Sequence, residues 1–405
     1  MSKQNKKIVV LFTYGGGLRG LIPAHIMARI ESVTGMAMSD MVDVFCGPST
    51  ASILNAALTI PHPRVPDRPR FSARQMVRFY EREGHYLFPT DSTRAFRGLI
   101  HDFNNRMMKI GQLDRLLKHG HYDPARLGRA LRALYGRQKL ADSLSSLIIP
   151  AYNIEGNALE TIQELEESAN DPAHTKNNII DKGGYAMWFK NMRIENARNL
   201  HPVPDIELYD AVMGSTAAPT LFPCHRFIHK QAGEERSYPV SLVDGSLFDN
   251  PCISYMGAIR QHVPKDAEVV MICLGTGFTN KSVSHKDWNK YGALGVVDPS
   301  NDFPLINIFF HAPESALLGA FKDELGEDMY VLNKSLLSNK DPARLPSTAP
   351  DDSSPENIQK LRHFAYDIMS ENERDFNKIC HILSENGEAR LKKRKRGRLF
   401  HLFGE

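Results

Sequence analysis

Three turns in this chain carry residue types that could do chemistry together. Gly47-Pro48-Ser49-Thr50-Ala51 presents a serine between two residues with almost no side chain. Gly15-Gly16-Gly17-Leu18-Arg19-Gly20 is a glycine-rich loop, and Asp244-Gly245 adds a carboxylate far downstream. A serine hydroxyl is a poor nucleophile until a neighbouring base accepts its proton, and it must stand clear of the backbone to attack. Gly47 and Ala51 suit a tight strand-to-helix elbow. Pro48 biases Gly47 toward the extended conformation that ends a strand. Ser49 then stands at a helix N-terminus, where the dipole favours developing negative charge. Consecutive glycines leave backbone N–H groups unobstructed, so several can converge on one oxyanion. Asp244 could take the serine proton directly if partial burial raises its pKa. Each motif alone reads as an ordinary turn; the combination is what ester hydrolysis needs.

The elements that must position these turns follow from apolar patterning. Ile8 to Tyr14 reads as a buried parallel strand and Leu21 to Val33 as a helix. Met41 to Cys46 reads as a second strand, with Asp43 inside it, and Ser52 to Ile60 as a second helix. This alternation predicts a mostly parallel sheet covered by helices. Parallel strands carry their chemistry at their carboxyl ends, so sites after strands ending at Tyr14, Cys46 and Val243 can share one edge. Prolines 61, 63, 66 and 69 should forbid regular structure in PHPRVPDRPR. Phe71 to Leu144 should be mainly helical, Leu147 to Tyr152 a strand, and Asn170 to Tyr185 a loop. Pro204-Asp205 should cap a helix through Ala217, and Glu268 to Leu274 should be a further buried strand. Pro342 to Pro355 reads as a polar linker before a terminal helix or helix pair over Glu356 to Leu383.

The bulk numbers narrow the class. A chain of 405 residues with 42% hydrophobic and 24% charged residues is long enough for a sizeable core. A net charge of +3 is too mild to imply nucleic acid. Five widely spaced cysteines without a C-x-x-C pair read as reduced thiols, which places the protein in the cytoplasm. The IVVLFTY run meets GGG rather than a small-residue cleavage site, so a core strand is expected instead of a signal peptide. No stretch has the length of a membrane span.

At these residues the chain resembles the patatin-like phospholipases. The family's G-G-G-x-R-G loop matches Gly15 to Gly20, its G-x-S-x-G elbow matches Gly47 to Ala51 with alanine at the end, and its D-G-[GA] motif matches Asp244-Gly245-Ser246. GSTAAPTLFP, Gly214 to Pro223, resembles the block preceding the family's aspartate. The resemblance covers residues 6–335, with a helical insert at about 61–145. A linker with C-terminal helices (336–388) and a basic, partly apolar tail (389–405) follow. The resemblance implies a three-layer α/β/α fold and a Ser49–Asp244 dyad without histidine. Gly15, Gly16, Gly17, Leu18, Arg19 and Gly20 would form the oxyanion loop, with Gly47, Ala51 and Gly245 supporting the turns. The implied substrates are phospholipids or other acyl lipids, split to free fatty acid, with no metal or organic cofactor. Arg19 would shape the loop, meet a lipid phosphate or, equally, form a salt bridge. The resemblance also leaves room for a protein or nucleotide activator, and for a weak or inactive member acting by lipid or partner binding.

Other plans fit less well. Gly15, Gly17 and Gly20 match the dinucleotide fingerprint of an oxidoreductase, but the second strand ends in Cys46 rather than a ribose-binding acid. An α/β-hydrolase would finish on a histidine after the acid, and His363, His381 and His401 have no such motif. His119-Gly120-His121 reads as a solvated turn rather than a zinc site. A lipid substrate requires an interface. The insert after Pro61 is a candidate lid or membrane-facing surface, though core helices of a large domain would look the same, and Arg390 to Phe403 pairs basic with apolar residues in a way that suits an anionic membrane. A solvated tail, a nuclear-targeting address or a nucleic-acid contact would look similar.

Overall fold

In a computed structural model of the chain, residues 6–87, 122–155, 183–194, 196–199, 202–219, 221–230, 237–279, 282–295, 304–337 and 342–403 are described. Their strands, in chain order, begin with β1 (Lys6–Thr13), β2 (Val44–Cys46), β3 (Pro61–His62), β4 (Val65–Pro69) and β5 (Ser146–Asn153). There follow β6 (Tyr185–Asn191), β7 (His225–Lys230), β8 (Ser237–Asp244), β9 (Ala267–Leu274) and β10 (Met329–Leu332). All but β3 and β4 join one eight-stranded sheet, ordered β10-β9-β1-β2-β5-β8-β7 with β6 also on β5. β1 pairs in parallel with β2 and β9, as do β2 with β5 and β9 with β10.

Alternation along β1 explains the layers. Val9 and Leu11 enter one apolar core, while Ile8, Val10 and Phe12 enter another across the sheet. The larger core is closed by α1 (Leu21–Thr34), the helical turn α2 (Met38–Met41), α3 (Thr50–Thr59) and α4 (Ala73–Leu87). The smaller takes Cys252, Tyr255, Phe321 and Leu325 from helices on the opposite face. Helices on both faces of a mostly parallel sheet give the expected α/β/α class.

One register decides where the chemistry can sit. β6 covers one edge of β5 from Leu147 to Asn153. On the other edge β2 stops at the Cys46–Ile148 pair, and β8 takes over at the Ala151–Asp244 pair. β8 runs antiparallel to β5. The expectation that Asp244 ends a parallel strand beside its neighbours is therefore corrected. Two strands meet end to end along one edge of β5, and their last residues face each other across the gap.

Other expectations also change. PHPRVPDRPR forms the antiparallel ribbon of β3 and β4, an isolated pair that tolerates proline because most of its backbone has no ladder to complete. Asp43 precedes β2 rather than lying inside it, and Met41 belongs to α2. The helix expected from Pro204 begins at Leu208. β6 and β7 are strands where none is expected from the sequence. Residues 88–121 of the insert, His119-Gly120-His121 and most of the loop expected at Asn170 to Tyr185 lie outside the described residues.

The C-terminal residues fold back on the body. A helix over Pro355–Glu371 is followed by one over Glu373–Phe403, so the basic segment continues a helix. Arg390 bonds the Asp43 carboxylate through Nη1, the Asp40 carbonyl through Nε at 3.0 Å and Ser145 Oγ through Nη2 at 3.0 Å. Arg394 bonds Asp40 Oδ1 at 2.7 Å. These two arginines serve the fold.

Candidate active site

Ser49 stands between β2 and α3 with φ 56° and ψ −130°. A serine at positive φ is strained, and such strain persists only where surroundings over-determine it. Here they do. The Ser49 N–H donates to the Ser215 carbonyl and to Ser215 Oγ, both at 3.1 Å. Ser215 Oγ in turn donates to the Pro150 carbonyl at 2.5 Å. Two residues on, the Ala217 carbonyl accepts the Asp244 N–H at 3.0 Å. One short stretch at the end of the Leu208–Ser215 helix thus fixes the backbones of both Ser49 and Asp244.

Gly47 shows why the elbow needs its glycine. Its φ is 149°, and a Cβ there would lie 2.1 Å from the Thr13 carbonyl oxygen and 2.9 Å from the Ala51 methyl. Ala51 already fills the remaining space, so alanine in place of a final glycine is accommodated. Asn55 ties the strand ends together, donating to the Cys46 carbonyl at 3.0 Å and accepting from Thr13 Oγ1 at 3.2 Å.

Asp244 is 3% exposed. Burial pushes its pKa up to about 6, against the opposing pull of hydrogen bonding from the Ser49 hydroxyl and from Ser246. The Ser246 N–H donates to Asp244 Oδ1 at 2.8 Å. A carboxylate held near 6 is ionised at neutral pH yet basic enough to take a proton from an alcohol under attack. A second buried carboxylate, Asp249, is pushed up to about 7 by burial. Its described partners are the Ser254 hydroxyl and the Trp188 Nε1–H, not Ser49.

The glycine loop meets both residues. A Cβ on Gly15 would lie 2.3 Å from Ser246 Oγ and 3.1 Å from Ser49 Cβ, so the three turns of the sequence converge there. Gly20 and Gly245 make similarly close approaches, to Thr50 Oγ1 and to the Pro150 carbonyl. Among the described residues the N–H groups of Gly15, Gly16 and Gly17 have no hydrogen-bond acceptor, which leaves them available to an oxyanion. Leu18 and Arg19 leave the candidate donor set. The Leu18 N–H is taken by the Pro350 carbonyl at 2.7 Å, and the Arg19 N–H by the Gly16 carbonyl at 3.1 Å. The Arg19 side chain donates to the Thr348 carbonyl at 3.3 Å, so it anchors the loop.

Sequence reasoning misses three contributors. Ser215 is visible there only as part of a similar block, and Thr276 only by its place just after the strand expected to end at Leu274. Thr276 Oγ1 donates to the Gly15 carbonyl at 2.7 Å and pins the start of the loop. Pro350 has no local signal at all.

Comparisons with known proteins point to one family. The family model described as patatin-like phospholipase matches residues 12–256. Patatin-like protein 2 of Arabidopsis thaliana is 26% identical over 327 residues, covering 75% of this chain and 69% of its own length. Patatin-like protein 3 of the same plant is 25% identical over 413 residues, covering 96% and 81%. Patatin-16 of Solanum tuberosum is 23% identical over 385 residues, covering 89% and 83%. The solved structure of VipD from Legionella pneumophila aligns with 89% of this chain and 67% of its own, at 10% identity and a TM-score of 0.28, too loose an overlay to carry an argument.

Proposed function

The chain belongs to the patatin-like phospholipase family, and from that premise we propose that it is a serine-dependent lipid acyl hydrolase of phospholipase A type. The observation that carries the reading is Ser49, strained at the end of β2, beside a buried Asp244 whose pKa is raised to about 6. Ser49 Oγ attacks the acyl carbonyl carbon while its proton passes to an Asp244 carboxylate oxygen. The Gly16 and Gly17 N–H groups receive the oxyanion of the tetrahedral intermediate. Collapse breaks the ester C–O bond, and Asp244 returns the proton to the departing alcohol oxygen of the lysolipid. Water then attacks the acyl-serine with Asp244 again taking the proton, and free fatty acid leaves as Ser49 regains its hydrogen.

The proposed dyad holds base and nucleophile without a histidine. The carboxylate can serve as both acid and base because its pKa lies between that of an exposed acid and neutrality. Among the described residues no helix is long and apolar enough to cross a membrane. We place the enzyme at the membrane surface peripherally. Arg390 and Arg394 are engaged with the body, so that contact falls to exposed Lys392 and Lys395.

Fatty-acid release from mixed phospholipid vesicles tests the reading. Wild type should release acyl chains, and folded Ser49→Ala and Asp244→Asn should each fall by more than ~10³-fold. Release that survives in Ser49→Ala would remove the mechanism.

A further inference from the structure

The residues matched to the family end at Met256, yet the glycine loop is gripped by residues near position 350. The segment from Thr348 to Asp351 crosses the loop from outside. The Pro350 carbonyl accepts the Leu18 N–H at 2.7 Å, and the Thr348 carbonyl accepts from Arg19 Nη1 at 3.3 Å. Gly17 sits directly beneath, with φ 58°, and a Cβ there would lie 2.3 Å from the Pro350 oxygen. Only glycine permits that approach.

The crossing segment is itself tied down. Asp351, buried, accepts the Tyr122 hydroxyl at 2.7 Å. The Ser347 N–H donates to Asn357 Oδ1 at 2.8 Å, and Asn357 Nδ2 donates to the Asp352 carbonyl at 2.7 Å. Ser354 then caps the helix that packs on α1. Proline at 350 fixes its own φ and so limits where its carbonyl can point.

We infer that Thr348 to Asp351 is a positioning strap for the oxyanion loop, holding its far end so that Gly16 and Gly17 keep their N–H groups toward Ser49. Its effect on turnover rests on the hydrolase reading above; its grip on the loop does not. A run of three glycines is the most freely rotating backbone a protein can use. An oxyanion hole works only when its donors are aimed before charge develops. Thr276 fixes the carbonyl of Gly15, and the strap fixes the N–H of Leu18. Between those two pins lie the Gly16 and Gly17 N–H groups, which have no acceptor among the described residues. The residues matched to the family therefore supply the loop, while its outer support comes from beyond them.

The test has two readouts on full-length protein. Turnover of p-nitrophenyl butyrate, a soluble ester, should show kcat falling roughly threefold in Pro350→Ala and tenfold in Pro350→Gly, with KM unchanged. Amide hydrogen exchange should show Leu18 protected in wild type and exposed early in Pro350→Gly, while amides within α1 keep their rates. Asn357→Ala, which frees the strap without altering it, should give the same pattern and stands in if Pro350→Gly does not fold. Unchanged Leu18 exchange in folded variants would overturn the strap. Faster Leu18 exchange with wild-type kcat would overturn its role in positioning. A wild type inactive on this ester would count against the hydrolase reading, and Leu18 exchange would then judge the strap alone.

Discussion

Ser49 and the glycine loop, the proposed nucleophile and oxyanion donors, sit side by side, yet they are held in opposite ways. Ser49 is fixed by its own strand, its own helix and Ser215, all within residues 12–256. Every residue of α3 is buried, so the elbow rests on a packed rod. The glycine loop has no such support in its own sequence. Its pins are Thr276, Thr348 and Pro350, which come from the end of β9 and from the approach to the C-terminal helices. The difference follows from what each must do. A nucleophile can be strained by dense local packing, because one side chain must point one way. A set of backbone donors must stay open to substrate, so nothing can pack on the face that works, and restraint has to come from outside.

Gly17→Ala should break the comparison most visibly among loop variants. Alanine at φ 58° is strained, and its methyl would press on the Pro350 carbonyl, so the loop or the strap must shift. Loss of one aimed donor is expected to lower kcat by about 10²-fold. The elbow lies on separate pins, so Ser49 should keep its backbone geometry. A crystal structure of Gly17→Ala with a displaced Ser49 would mean that the two halves are mechanically one.

The dyad half has its own signature in pH. In the proposed mechanism Asp244 must be ionised to take the serine proton, so kcat/KM should fall tenfold per unit as pH drops below about 6. Stability runs the other way. Burial raises the folded-state pKa from the usual 3.8 to about 6, so the folded chain holds this proton more tightly than the unfolded one. Between those values stability therefore declines as pH rises, by roughly 2–3 kcal/mol for this group. Asp244→Asn removes that penalty. The variant should melt higher than wild type at about pH 8 and no higher below the unfolded pKa, while losing turnover. Equal melting temperatures at the higher pH would mean that the carboxylate is better solvated than its burial implies.

The same contrast explains what is legible in the sequence. The α/β class, β1, α1, α3 and the elbow are readable because periodicity and turn chemistry are local signals. Ser49, Asp244 and the glycine loop are readable because each carries a compact motif. β6 and β7 are not, since half-exposed strands such as HRFIHK lack a continuous apolar run. The antiparallel entry of β8 is hidden too: strand direction is set by which edge of β5 remains free, a property of the assembled sheet. Pro350 contacts a residue more than three hundred positions earlier through its carbonyl, which every residue possesses, so no side-chain pattern could announce it. Polar composition makes that segment look like a linker, when its polar groups tie it to Tyr122 and Asn357 while its carbonyls hold the loop.

The smallest effect on activity should come from Arg390, and it separates attachment of the C-terminal helix from the work of the strap. Arg390 reaches Asp43, Asp40 and Ser145 at the end of β2 away from Ser49. Its side chain is 21% exposed and that of Asp43 19%. An ion pair so placed lies between a surface bridge and a buried one, and its loss leaves the Asp43 carboxylate, among the described residues, with the Val9 N–H and Asn386. Arg390→Ala should therefore cost on the order of 2 kcal/mol, read as a lower melting temperature. Ester turnover by the folded fraction should stay within about twofold of wild type, because the elbow is pinned at its other end by Ser215. Leu18 exchange should also stay at the wild-type rate, since Asn357 and Tyr122 hold the strap independently of the last helix. A tenfold loss of kcat in this variant would mean that strain travels along β2 from Asp43 to Ser49. The nucleophile would then depend on the C-terminus as closely as the glycine loop does.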